Sequence, residues 1–376
     1  MPIKTLVVDD AVTYRKIVSD ILKSIPDIEL TGTAPSGSIA LKKLTHSQID
    51  LVLLDTDMPD MNGLETLKRI RSDFPSVAVV MMTGKSSRNK KDTIDALECG
   101  AIDFISKEEN DDYHINFNIL KCSINSVIQL IELKKNKLRS RSKIIKGMNN
   151  TISNQQLPAE KTKNRIDSFS ICVIGVSTGG PEALNILIPQ IPANFPIPIL
   201  IVQHMPVNFT KSLAESLNKK SSLRVIEAPD NCEILPGTVY IAPGGKHMTV
   251  CNIEGKMLIC HSDAPPVNSC RPSADVLFRS VASNYLESGI LAIILTGMGN
   301  DGCCGIEMMK RQKCFCITQT EFSCVVYGMP RAVEEAGLSD LSLPVENIAS
   351  EMVNLTIHSF SASNTHDQSY NLKNCI

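Results

Sequence analysis

Ile171-Cys-Val-Ile-Gly175-Val-Ser177-Thr178-Gly179-Gly180-Pro181-Glu182-Ala183-Leu184 reads as a buried strand, a glycine turn and the first turns of a helix. Proline is tolerated in a first helical turn, and such a turn presents its central side chain at a helix N-terminus. Backbone N–H groups and the helix dipole favour negative charge there, which suits either the oxyanion of an acyl transfer or a bound phosphate. Walker A is excluded because no Gly-Lys-Ser/Thr closes the loop.

Similar strand-like runs lie on both sides of this segment. Downstream are Ile197 to Val202, Thr238 to Ile241 and Ile290 to Leu295, separated by helical patterns and Gly/Pro turns. Upstream, Ile3 to Val8, Ile28 to Thr33, Leu51 to Leu54, Val77 to Met82 and Ile102 to Ile105 alternate with helix-period segments. Alternation of this kind predicts parallel sheets. The expected fold class is therefore α/β with two doubly wound domains, a flavodoxin-like five-stranded one and a larger, mostly parallel one. Between them Lys134 to Arg165 holds ten Lys or Arg against one acid, Glu160, and few large apolar residues. The expected boundaries are residues 1–125, a basic polar linker at 126–167, a second domain at 168–358 and a polar tail at 359–376.

Composition excludes several classes. With 376 residues, 43% hydrophobic, 21% charged and a net charge of −2, the chain reads as ordinary globular protein with no global pull toward nucleic acid or anionic membrane. No apolar run approaches the roughly 20 residues that span a bilayer, and the N-terminus lacks a secretory layout. A cytoplasmic location is expected. The 13 cysteines include no C-x-x-C pair and their number is odd, so reduced, mostly buried thiols are expected.

In the first domain Asp9 and Asp10 follow the first run and Asp55 the third, at the carboxyl ends of parallel strands where open α/β sheets bind ligands. Three clustered carboxylates call for a hard cation with oxygen ligands, and Mg²⁺ suits that role. Asp55 can then act as nucleophile toward a phosphoryl donor. Thr83 and Lys107, after the fourth and fifth runs, supply a hydroxyl and a cation for phosphate oxygens. These residues, in Val-Val-Asp9-Asp10, Leu-Leu-Asp55-Thr-Asp57-Met-Pro59, Met-Met-Thr83-Gly and Ala-Ile-Asp-Phe104-Ile-Ser-Lys107, resemble the response-regulator receiver family. The resemblance implies phosphorylation of Asp55 by a histidine kinase of CheA type, with Mg²⁺ held by Asp10, Asp55 and the backbone of Asp57, and Asp9 nearby. Glu108 stands where receivers commonly carry proline.

In the second domain Ser177 needs a base and an orienting acid to become a nucleophile. His204 follows one strand-like run and Asp301 follows another, so three strand ends offer Ser, His and Asp to one crevice. His247 is the rival base. Gly175-Val-Ser177-Thr-Gly179 matches G-x-S-x-G, but the order Ser, His, Asp is not that of α/β-hydrolases. Gly-Val-Ser177-Thr-Gly-Gly, Gln203-His204-Met-Pro, Tyr240-Ile-Ala-Pro-Gly-Gly-Lys-His247, Arg271-Pro-Ser273-Ala-Asp-Val-Leu-Phe278 and Leu-Thr-Gly-Met298-Gly-Asn-Asp301-Gly302 together resemble the CheB family of chemotaxis methylesterases. That resemblance implies Ser177 as nucleophile, His204 as base and Asp301 as orienting acid, with Thr178 and Met298 lining the oxyanion site. It also implies a substrate, glutamate methyl esters and glutamines on methyl-accepting chemoreceptor cytoplasmic domains, and a receiver that covers the approach to Ser177 until phosphorylated. No cofactor is expected for ester hydrolysis, and neither nucleic acid nor membrane insertion is expected. The rival from another class is a phospho-switched adaptor whose second domain is catalytically silent.

Overall fold

The computed structural model describes residues 2–84 and 95–107, scattered positions from 117 to 166, and residues 168–207, 209–286 and 289–364. Most of the expected linker and the loop after Lys107, including Glu108, lie outside the described residues. Two compact units emerge, residues 1–163 and 164–376.

The first unit is built on β1 (Ile3–Val8), β2 (Ile28–Ala34), β3 (Leu51–Asp55), β4 (Ala78–Gly84) and β5 (Asp103–Lys107). All pairings are parallel and the order is β2-β1-β3-β4-β5. Helices Val12–Lys23, Gly37–His46 and Gly63–Asp73 connect the first four strands. Every residue of β3 is buried. A strand covered on both faces has no polar side to show, which is why it reads as an unbroken apolar run. The order in which strands are added reverses at β1, so a crevice opens between the carboxyl ends of β1 and β3.

The second unit contains β6 (Phe169–Val176), β7 (Ile199–Gln203), β8 (Arg224–Glu227), β9 (Cys232–Glu233), β10 (Thr238–Ile241), β11 (His247–Ile253), β12 (Lys256–Ser262), β13 (Gly289–Ile294), β14 (Cys314–Gln319) and β15 (Leu341–Leu343). Seven of these form one all-parallel sheet, ordered β15-β14-β13-β6-β7-β10-β8. Its switch point is β6, flanked by β7 and β13. The other three strands make a small antiparallel sheet, β11-β12-β9. Its hairpin turns at Glu254-Gly255, with φ of 52° and 82°. Both values belong to the two-residue turn whose twist matches paired strands.

Helix Ala274–Asn284 lies beneath this switch point, with Leu277, Phe278 and Val281 fully buried in a cluster shared with β6, β10 and β13. Replacing Phe278 by alanine in such a core costs about 3–5 kcal/mol. The last helix runs from Val345 through Asn364, past the expected start of a polar tail. Cysteine chemistry differs from expectation at one place, where Cys251 and Cys260 are joined across the β11–β12 hairpin. Among the nine described free cysteines only Cys172, Cys314, Cys316 and Cys324 are buried. The reason is positional, since those four sit in or beside core strands while the others lie on loops, helix ends and the small sheet.

Candidate active site

Parallel pairing brings Val176 opposite Gln203, so the next residues, Ser177 and His204, leave the sheet side by side. Hydrogen-bonded neighbouring strands lie about 4.8 Å apart. His204 N donates to Val176 O at 3.2 Å and Ser177 N donates to Thr296 O at 3.0 Å. Buried Gln203 ties the two strand ends, donating from Nε2 to Ser177 O at 3.0 Å and His204 O at 3.3 Å.

Ser177 enters a tight turn in which Gly180 N donates to Ser177 O at 2.8 Å. Gly179 is left-handed, with φ of 75°. A Cβ on Gly180 would fall 1.9 Å from Gln203 Oε1 and 2.7 Å from Val176 Cγ2, so only glycine lets helix Gly180–Leu187 start there. Among the described residues neither Thr178 N nor Met298 N donates a hydrogen bond, and Met298 is exposed.

Asp301 is the most heavily hydrogen-bonded side chain of the site. Its Oδ2 accepts from His204 Nε2 at 2.8 Å and Ala274 N at 2.6 Å. Its Oδ1 accepts from Ser273 Oγ at 2.7 Å, Asn268 Nδ2 at 2.9 Å and Asp275 N at 3.2 Å. Ser273 occupies the N-cap position of helix Ala274–Asn284 yet caps nothing with its own side chain. Asp301 replaces it and caps that helix from another element. The exchange is reciprocal, because Asp275 Oδ1 accepts from Gly305 N at 2.7 Å in the first turn of helix Cys303–Lys310.

Burial of Asp301 works against its charge, but hydrogen bonding and charge from His204, with hydrogen bonds from Asn268 and Ser273, hold the carboxyl well below the usual range. Burial likewise works against the protonated ring of His204, yet the Asp301 hydrogen bond, the Cys270 hydrogen bond and the Asp301 charge push it up to about 9. An ionised carboxylate only accepts, so Nε2 carries a proton and Nδ1 is left as the basic nitrogen. Nδ1 faces Cys270 Sγ at 3.5 Å. Ser177 Oγ makes no hydrogen bond among the described residues.

His247, the rival base, is fully buried and its Nε2 meets Pro265 O at 3.1 Å. It supports the loop before Cys270, and among the described residues its ring makes no hydrogen bond to Ser177, His204 or Asp301. Sequence reasoning gave no role to Gln203 and Ser273, which stand in motifs it quoted, and passed over Asn268 and Cys270. All but Gln203 sit in Asn268-Ser-Cys270-Arg271-Pro-Ser273, a run whose polar residues look like ordinary turn material.

In the first unit Asp9, Asp10 and Asp55 place carboxylate oxygens within 4.8 Å of one another, a group able to hold a metal ion. Asp9 and Asp55 are buried and Asp10 is exposed. Lys107 Nζ lies 2.6 Å from Asp9 Oδ2 and 2.7 Å from Asp55 Oδ1, and 4.9 Å from the centre of the Tyr14 ring. Burial raises the Asp55 carboxyl to about 6, with Lys107 opposing and Asp9 reinforcing that shift. Burial pulls the Lys107 ammonium down, but the two carboxylates outweigh it and leave it raised. Asp57 N approaches Asp55 Oδ1 at 3.4 Å. Thr83 is buried near the end of β4, one residue before Gly84, which pairs with Lys107. Two adjacent buried acids and one cation leave a local negative excess, which is the donor set a hard divalent ion requires.

The family profile for CheB methylesterase matches residues 172–352, and that for the response regulator receiver domain matches residues 5–116. The protein-glutamate methylesterase/protein-glutamine glutaminase of Desulfotalea psychrophila is 43% identical over 356 residues, 93% of this chain and 98% of that one. The chain belongs to the CheB methylesterase family. A protein of the same name from Clostridium acetobutylicum is 37% identical over 94% of this chain and 97% of its own. Among solved structures, the Thermotoga maritima CheB methylesterase catalytic domain is 43% identical, covers 50% of this chain and all of its own, and superposes with a TM-score of 0.49. The Thermotoga maritima CheB response regulator domain is 32% identical and covers 34% of this chain and 95% of its own, with a TM-score of 0.31.

Proposed function

We propose that this protein is a phosphorylation-controlled serine esterase that hydrolyses glutamate methyl esters, and deamidates glutamines, on the cytoplasmic domains of chemoreceptors. One observation carries the reading: Ser177 and His204 leave neighbouring parallel strands side by side, while His204 Nε2 lies 2.8 Å from Asp301. A silent adaptor would have no use for a buried carboxylate aimed at an imidazole beside a serine.

In this reading Ser177 Oγ attacks the ester carbonyl while His204 Nδ1 takes its proton. Asp301 balances the imidazolium and keeps the other ring proton on Nε2. Negative charge on the carbonyl oxygen meets the N–H of Thr178, just before helix Gly180–Leu187, with the Met298 loop after β13 lining the other side. His204 returns the proton to the departing methoxide, releasing methanol, and water then repeats the cycle on the acyl-enzyme to free the glutamate. A glutamine side chain follows the same route with ammonia as leaving group.

The receiver is phosphorylated on Asp55 by a histidine kinase of CheA type. Asp10, Asp55 and the backbone of Asp57 would hold Mg²⁺, which neutralises the acidic cluster for attack on the phosphodonor. Thr83 and Lys107 pair with the new phosphate oxygens, and loss of the resting Lys107–Asp55 ion pair is the local change that reports phosphorylation. The chain acts in the cytoplasm, where its substrates present their helices. No described helix is long and apolar enough to cross a membrane.

Methanol release from a methylated receptor fragment, compared between wild type and Ser177→Ala, tests the reading. It expects release from the first and none from the second. Release by Ser177→Ala at the wild-type rate would overturn it.

A further inference from the structure

The loop between β12 and helix Ala274–Asn284 touches both members of the base–acid pair. Asn268 Nδ2 reaches Asp301 Oδ1 at 2.9 Å, and two residues on Cys270 Sγ reaches His204 Nδ1 at 3.5 Å. The loop is held firmly. Val267 and Cys270 exchange backbone hydrogen bonds at 3.1 and 2.9 Å. Arg271 donates to Asp263 O and Ala264 O at 3.1 and 3.2 Å, and His247 supports Pro265. Cys270 is therefore delivered to the imidazole by a braced segment, with its own backbone groups already satisfied.

Its partner atom matters. With Nε2 committed to Asp301, Nδ1 is the only nitrogen His204 has for deprotonating Ser177, and a thiol stands against it. We propose that Cys270 is a positioning residue for the base, holding Nδ1 of His204 in the resting enzyme so that Ser177 must displace the thiol before it can be deprotonated. This rests on the assignment of His204 as the base. The contact fixes the ring about its χ angles from the side opposite the Asp301 bond, so the imidazole is clamped at both nitrogens. A sulfur hydrogen bond is weak enough to be exchanged for a serine hydroxyl in each cycle.

The groups facing the ring nitrogens are Asp301 on Nε2 and Cys270 on Nδ1. Asp275 lies one step further away and is committed to Gly305 N, Asn268 and Arg279. Removing the thiol thus changes one neighbour of His204 and leaves the other in place.

The test is long-range ¹H–¹⁵N spectroscopy of the full chain labelled with ¹⁵N-histidine, the His204 signals being those lost in His204→Gln. In the wild type the neutral ring carries its proton on Nε2. In Cys270→Ala the Nδ1 shift of the neutral ring changes and the titration midpoint moves by at least half a unit, about a threefold change in proton affinity. Cys270→Ser, whose hydroxyl can donate to Nδ1, restores the wild-type Nδ1 shift. The acid limb of kcat/KM against pH moves with the midpoint. Identical His204 signals in wild type and Cys270→Ala, a neutral ring protonated on Nδ1, or a Cys270→Ser variant indistinguishable from Cys270→Ala would each overturn the proposal. These signals exist whether or not the protein is an esterase, so failure of the enzymatic reading, seen as methanol release by Ser177→Ala, is a separate result.

Discussion

Asp301→Asn separates two jobs that one carboxylate performs. Oδ1 receives three donors, from Asn268, Ser273 and Asp275, and Oδ2 receives two, from Ala274 and His204. The asparagine oxygen goes where donors are most numerous, so the amide NH₂ takes the Oδ2 position. There it faces the Ala274 N–H and the His204 Nε2–H, and neither pair can form a hydrogen bond. The imidazole escapes by moving its proton to Nδ1, which removes the basic lone pair from the side Ser177 needs. The Ala274 N–H has no escape and is buried. One unsatisfied buried donor costs about 1–3 kcal/mol. Loss of a charged cap at a helix N-terminus adds about 1 kcal/mol. Together these predict a loss of about 2–4 kcal/mol in unfolding free energy for the second unit. Turnover falls by about 10⁴-fold, as expected when an orienting acid becomes an amide and the tautomer is wrong. Urea denaturation followed by far-UV circular dichroism gives the first quantity and methanol release the second. A variant with wild-type stability and a large loss of turnover would show that the cap is not made by Asp301. Wild-type turnover would remove Asp301 from the catalytic group altogether.

Ser177→Ala should lose its esterase activity and keep its thermal midpoint, and Ser177→Ala with His204→Ala should be scarcely slower than either single variant; marked additivity would contradict a shared step. His204 is protonated up to about 9 in the free enzyme, and only the neutral ring is a base, so kcat/KM should climb with pH through that value. A profile already flat above pH 7 would be the contrary result. The same raised pKa stabilises the fold below about 6.5 and ceases to do so as pH rises through about 9. Asp55→Asn should accept no phosphoryl group from a small-molecule phosphodonor with Mg²⁺, read as the absence of the mass increment seen in wild type. Deleting residues 1–163 should leave esterase activity that no longer responds to phosphodonor, and a persisting response would place the control outside the receiver.

Legibility followed burial. Central strands such as Leu51–Asp55 and Gly289–Ile294 are covered on both faces, so their sequences are unbroken apolar runs and could be placed within a residue or two. The residues that end them, Asp55, Ser177 and His204, inherited that accuracy. The small sheet went unread because its strands mix one buried face with polar and cysteine residues. The signal was present all the same, in Glu254-Gly255 between Met248 and Val250 on one strand and Ile259, paired with Val250 on the same buried face, on the other. Ser273-Ala-Asp275 reads locally as a helix that caps itself, and nothing local says that its cap comes from residue 301. Cys270 and Asn268 gave no periodic signal at all, since a loop that reaches across a crevice leaves no pattern in its own sequence.

The exchange of carboxylates between two helix starts has a consequence for how this chain is made. Pairing of β6 with β7 is enough to put Ser177 beside His204, and that pairing uses only residues 169–203. The acid arrives about a hundred residues later, and it is aimed only when Asp301 and Asp275 have each found the other's helix. A nascent or partly unfolded chain therefore carries a serine next to an uncharged, unanchored imidazole and is a poor nucleophile toward whatever esters surround it. Catalytic competence and completed assembly become a single event, so that the enzyme is quiet until it is whole.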